Sequence, residues 1–202
     1  MLSTMAYNAA DMLKEATLRH NIHLGVLVAE TGLWANPKVH NFLSQDNGTG
    51  AFFPGVRRGH ISRGEQRGQW MGNVCFDDNT AANIAIKRAL GASRDQFVGF
   101  ETCHIWRGTC YDERYHTAIA NLVLLPRALA GLSDHDAEIE HVLQYRAYEL
   151  YSGWYPEGHK PPVKPEFYPT SWREPFPFTP TIVKGLNKRN WRERTKIVMP
   201  AN

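Results

Sequence analysis

Between Glu101 and His135 the chain gathers side chains able to do hydrolytic chemistry. His104, His116 and His135 carry imidazoles, the one side chain whose ordinary pKa lies near neutrality, so each can take a proton or bind a metal. Glu101, Cys103 and Asp112 add further donors for a cation. Arg107 and Arg127 present planar guanidinium groups suited to holding a phosphate through two parallel hydrogen bonds. Every one of these residues also has an ordinary reading. A strand-end histidine is commonly a hydrogen-bonded core residue, and an asparagine before an apolar strand is usually a turn residue. His135 within Ser-Asp-His-Asp fits a helix cap, and exposed arginines form surface ion pairs. The order of residues sets this segment apart: His104 closes one apolar stretch, a polar crossover follows, and Asn121 opens the next. Asp77-Asp78-Asn79 offers another carboxylate cluster, but acidic residues at a helix start are explained by the helix dipole.

The elements that must position these groups can be read from periodicity. Residues 97–103 predict a strand, and Asn121 to Leu125 (NLVLL) a second, buried one. Pro126 opens a short helix from Arg127 to Leu132, and Ser133-Asp134-His135-Asp136 caps another carrying Ile139, Val142, Leu143, Ala147 and Leu150. Upstream, residues 5–20 predict a helix. His23 to Ala29 fits either a helical extension or a strand, and Asn36-Pro37 marks a helix start. Residues 44–72 lack periodicity and read as a functional loop or disorder. Asn79 or Thr80 caps a helix through Ala89 that stops at Gly91. After Trp154, prolines alternate with Phe, Tyr and Trp, which predicts an extended arm laid over the body.

Segment 97–135, FVGFETCHIWRGTCYDERYHTAIANLVLLPRALAGLSDH, resembles the His-Asn-His (ββα-metal, His-Me finger) endonucleases over about forty residues. The resemblance implies that His104 is the general base and that the Asn121 amide braces the crossover and orients it. It implies one divalent cation, magnesium or manganese, or zinc if a soft ligand takes part. The family's third position, a metal-binding His or Asn, falls at the usual spacing on Ala130. A related group of bacterial nuclease toxins places an Asn-apolar-Leu-Pro stretch before a more distant histidine, which makes His135 the implied ligand, with His141 as a second candidate. The residue before the base is commonly an Asp or His ligand, and here it is Cys103. Three readings stay open: a soft metal, a ligand drawn from Glu101, Asp112 or His116, or loss of catalysis. The polar run Tyr111-Asp112-Glu113-Arg114-Tyr115-His116 favours the second.

Net charge is only +3, but it is unevenly spread. Arg57, Arg58, Arg63 and Arg67 lie in loop 55–70 beside the single acid Glu65. Residues 184–196 hold Lys184, Lys188, Arg189, Arg192, Arg194 and Lys196 against Glu193. Such clusters suit phosphate backbones, which neutralise them with counterion release. The three cysteines form an odd set without a secretion signal, which argues against a disulfide framework. No apolar run is long enough for a membrane span, and the expected location is cytoplasmic.

These features predict one α+β domain over residues 1–202. Residues 1–95 form a helical, DNA-contacting part, 96–153 a ββα-metal core with its following helix, and 154–202 an extended arm and basic tail. The implied activity is hydrolysis of DNA phosphodiesters, as in a restriction or phage-defence nuclease, with RNA as another substrate and a homodimer as one assembly. Two other readings fit the same residues: a catalytically silent nucleic-acid-binding module, and a protein-interaction subunit that docks through its aromatic arm.

Overall fold

Leu122-Val123-Leu124-Leu125 have no exposed surface, and the rest of the chain is layered around them. The computed structural model describes residues 9–91, 96–180 and 182. Successive strand side chains point to opposite faces, so an all-apolar strand must be covered on both. This strand, β5 (Leu122–Pro126), pairs antiparallel with β4 (Phe100–His104), with His104 opposite Leu122 and Phe100 opposite Pro126. On its other edge Leu124 forms an isolated bridge with Leu33.

Helices supply the covering layers. They are α1 (Ala9–Arg19), α2 (Leu24–Thr31), α3 (Pro37–Asn47), α4 (Thr80–Ala89), α5 (Arg127–Ala130), α6 (Leu132–His135) and α7 (Ala137–Leu150). A second sheet holds β1 (Val56–Arg58), β2 (Trp70–Met71) and β3 (Val74–Asp77) in the order β1-β3-β2, with β1 parallel and β2 antiparallel to β3. The class is mixed α+β. Among the described residues no helix is long and apolar enough to cross a membrane.

Several local expectations are refined. His23–Ala29 resolves as helix: the His23 ring Nδ1 accepts from the Gly25 amide and caps α2. Strand β4 starts at Phe100 rather than Phe97, because Val98 and Gly99 turn, with Gly99 at φ +78°. Asn121 ends a 3-10 turn (Ile119–Asn121) instead of opening β5. The start of α4 is capped by Asp77 and Asp78 rather than by Asn79. The Asp77 carboxylate accepts from the Ala81 and Asn79 amides at 2.8 and 3.1 Å. Residues 44–72, read from the sequence as a functional loop or disorder, contain the end of α3, β1, a 3-10 turn and β2. The predicted helix start at residues 5–8 and the basic segment 184–196 lie outside the described residues.

The described part of the arm after Trp154, up to residue 180, lies on the body. Arg173 donates its amide to the Ala29 carbonyl at 2.9 Å, Phe176 donates to Trp34 at 3.0 Å, and Asn36 Nδ2 donates to the Phe176 carbonyl at 3.0 Å. Trp172 meets Trp34 edge-on at 5.9 Å. Its apolar rings thereby complete the core beside β5 and α2.

Candidate active site

The crossover from β4 to β5 is held by Asn121, which is wholly buried. Its Oδ1 accepts from the Trp106 amide at 3.2 Å, while Nδ2 donates to Thr109 Oγ1 and to the Tyr115 carbonyl, both at 2.9 Å. One amide thus satisfies groups from the start, middle and end of the loop. An aspartate, lacking donors, could not do this. The neighbouring Thr109 hydroxyl is also tied to the Trp106 carbonyl.

The braced loop returns His116 beside His104. The two imidazoles stack with centroids 5.1 Å apart and planes 15° apart. His104 Nε2 lies 2.9 Å from the His116 carbonyl oxygen. A carbonyl only accepts, so Nε2 carries the proton and Nδ1 keeps the ring's lone pair. Burial, with the nearby His116 and Arg58, pushes the His104 pKa down to about 3, so the ring is neutral at ordinary pH.

The His116 side chain is itself anchored. Its Nε2 lies 2.8 Å from Asp77 Oδ2, and both side chains are completely buried. The same carboxylate caps α4, so one aspartate joins the second sheet, α4 and the crossover. Thr102 Oγ1 donates to Asn83 Oδ1 at 2.9 Å, a second link from β4 to α4.

His104 lines a cavity of about 270 Å³ whose walls include Arg58, Asn79, Glu101, Cys103, Trp106, Arg107 and Asp134. Two of the predicted phosphate ligands therefore reach it, Arg58 and Arg107. Arg107 is steadied through Nε by Glu140 at 2.7 Å and remains half exposed. Arg127 is not on the wall; it pairs with Glu101 at 2.8 Å on the exposed surface.

The predicted metal ligands do not come together. His116 is committed to Asp77. Asp112 pairs with Arg114 at 2.8 Å. His135 is exposed at the end of α6 and does not line the cavity. Cys103 is buried with its thiol toward the Ala130 carbonyl at 3.7 Å, and burial pushes its pKa up to about 11. Glu101 is held by Arg127. Among the described residues no three His, Cys, Asp or Glu side chains converge to hold a metal ion. The donor set named from the sequence thus does not fit a cation in this arrangement.

Of the predicted nucleic-acid contacts, Arg57 is corrected. It is buried, makes a two-bonded ion pair with Glu65 at 2.7 and 2.9 Å, and stacks over Phe76. Arg58, Arg63 and Arg67 are exposed. The sequence reading missed Asp77 as a partner of His116 and Asp134 as a cavity residue. Asp77 had been explained by the helix dipole alone, and nothing in a single sequence pairs positions this far apart.

The chain matches no protein-family model, no curated protein and no solved structure with which it was compared.

Proposed function

We propose that the chain is a nuclease of the His-Asn-His kind, hydrolysing phosphodiester bonds in DNA with His104 as general base. The observation that carries this reading is the neutral His104 ring, its Nε2 proton committed to a backbone carbonyl, on the wall of a cavity that also holds Arg58 and Arg107. The strand–strand–helix order of β4, β5 and α5, with Asn121 bracing the crossover, supports the ββα assignment.

In the proposed reaction a water oxygen attacks phosphorus while His104 Nδ1 takes its proton. The bond from phosphorus to the leaving oxygen breaks, and that oxygen is protonated by solvent. Arg58 and Arg107 offset charge on the phosphate. A phosphate in the cavity also favours the imidazolium, which raises the basicity of an otherwise weak base as substrate binds.

A second reading, a silent nucleic-acid-binding module, is favoured by one observation: Asp77 and Ala130 already occupy His116 and the Cys103 thiol, two of the proposed cation donors. Incubating supercoiled plasmid with the parent and with His104→Ala, in magnesium, manganese, zinc or chelator, separates the two. The nuclease reading expects nicked or linear product with the parent and at least a hundredfold less with the variant. Salt-sensitive binding with no cleavage under any condition supports the silent module.

A further inference from the structure

The basic loop between β1 and β2 is a rigid device that displays an apolar side chain. Arg57 and Glu65 close it through two hydrogen bonds, and Glu65 Oε2 also accepts from the His60 amide at 2.8 Å. Each flank is tied to β3: Gly59 donates to the Asp77 carbonyl at 3.0 Å and Gly68 to Phe76 at 2.9 Å. Gly59 sits so close that a Cβ there would lie 2.7 Å from the Glu65 carbonyl oxygen, so only glycine fits. The His60 ring lies flat on Tyr111, centroids 4.1 Å apart and planes 8° apart, which fastens the loop to the crossover that follows His104.

Out of this stapled base projects Ile61, with 91% of its surface exposed. A mobile loop exposes apolar groups by chance, but a loop held at both flanks and across its middle keeps Ile61 in water as a fixed feature. Its neighbours Ser62, Arg63, Gly64, Gln66 and Arg67 are exposed too, so Ile61 is not part of an apolar patch of the kind that docks a protein. The surrounding charge is cationic. Glu65 is consumed by Arg57, and among the described residues Arg58 and Arg63 form no ion pair. Arg67 reaches Asp78 only at 3.7 Å. A single apolar side chain flanked by cations matches the way proteins wedge into stacked base pairs, with aliphatic insertion accompanied by phosphate contacts.

We propose that the 59–68 loop is a wedge for duplex DNA. Ile61 enters between stacked base pairs, Arg63 and Arg58 take phosphates on either side, and the kink brings a backbone phosphate to the cavity. Arg58 serves both ends of this arrangement, since it closes β1 just before the loop and lines the His104 cavity. The inference rests on the nuclease reading for its substrate, and it adds that the duplex is locally unstacked on binding.

Unstacking lowers the twist of closed circular DNA, which gives a readout independent of cleavage. The full chain carrying His104→Ala is bound to plasmid in chelator, the plasmid is relaxed with a topoisomerase that needs no metal, and the topoisomers are resolved. Binding is measured in parallel by anisotropy with a labelled duplex across a salt series. The expected result is a shift to lower linking number that grows with bound protein. Adding Ile61→Ser should abolish that shift while weakening binding less than about tenfold, because the phosphate contacts remain. Salt-dependent binding with no shift, or an equal shift with Ile61→Ser, overturns the wedge and leaves the nuclease reading standing. No salt-dependent duplex binding by the parent overturns both.

Discussion

The carbonyl of His116 accepts the Nε2 proton of His104 at 2.9 Å while the two rings lie nearly parallel. The backbone of one histidine thus sets which nitrogen of the other is basic. Because the His116 ring is itself fixed by buried Asp77, the tautomer of His104 depends on residues from both sheets.

Asn121 is the first place to test the scaffold. Asn121→Ala removes three buried hydrogen bonds and leaves the Trp106 amide without a partner, while the Tyr115 carbonyl keeps only the Ala118 amide. A loss of about 3 kcal/mol of folding stability is predicted, measured by urea denaturation. Asn121→Asp should be nearly as damaging, since it keeps the acceptor and loses both donors.

Asp77 holds the second prediction. Asp77→Ala strands the buried His116 Nε2 and removes one of the two caps of α4, so it should cost about 3–5 kcal/mol. Asp77→Asn keeps an acceptor and should cost less. Thermal unfolding of the two variants checks the ranking, and equal melting temperatures for parent and Asp77→Ala would contradict the anchoring of His116 by Asp77.

Acid should destabilise the fold through its buried histidines. Burial pushes His40 down to about 4 and His104 to about 3, whereas an unfolded histidine titrates near 6.5. Between those values the unfolded chain binds more protons than the native one, so stability is complete above about pH 6.5 and falls as pH drops toward 4. For His40 alone the loss amounts to about 3 kcal/mol at most. Denaturation curves at pH 7, 5.5 and 4.5 measure it, and His40→Gln should flatten the dependence relative to the parent.

The stapled loop can be probed by protease. Glu65→Ala opens the ring made with Arg57 and the His60 amide, so trypsin should cut after Arg63 or Arg67 several times faster than in the parent. Unchanged cleavage would mean that the loop is open without the variant.

Part of this architecture was legible in the sequence. The buried strand at NLVLL, the helix starts at Asn36-Pro37 and Asp136, and the Pro-aromatic arm all follow from local composition, which acts within a few residues. The bracing place of Asn121 was implied only by the family resemblance, since local composition reads an asparagine before an apolar strand as a turn residue. Arg57 was not legible. With β1 and β2 only three and two residues long, no alternation could show that Arg57 turns inward and Arg58 outward. His116 was drawn toward a cation because its partner, Asp77, belongs to another sheet. Pairings made only by tertiary packing leave no local pattern to read.

Whether neutral His104 accepts the proton of the attacking water is tested most directly by the single-turnover cleavage rate of duplex DNA against pH. The parent rate should fall on the acid side as His104 is protonated, and the His104→Ala rate should be at least a hundredfold lower and lack that acid limb. Cleavage by His104→Ala at the parent's rate, with the same pH profile, would contradict that role.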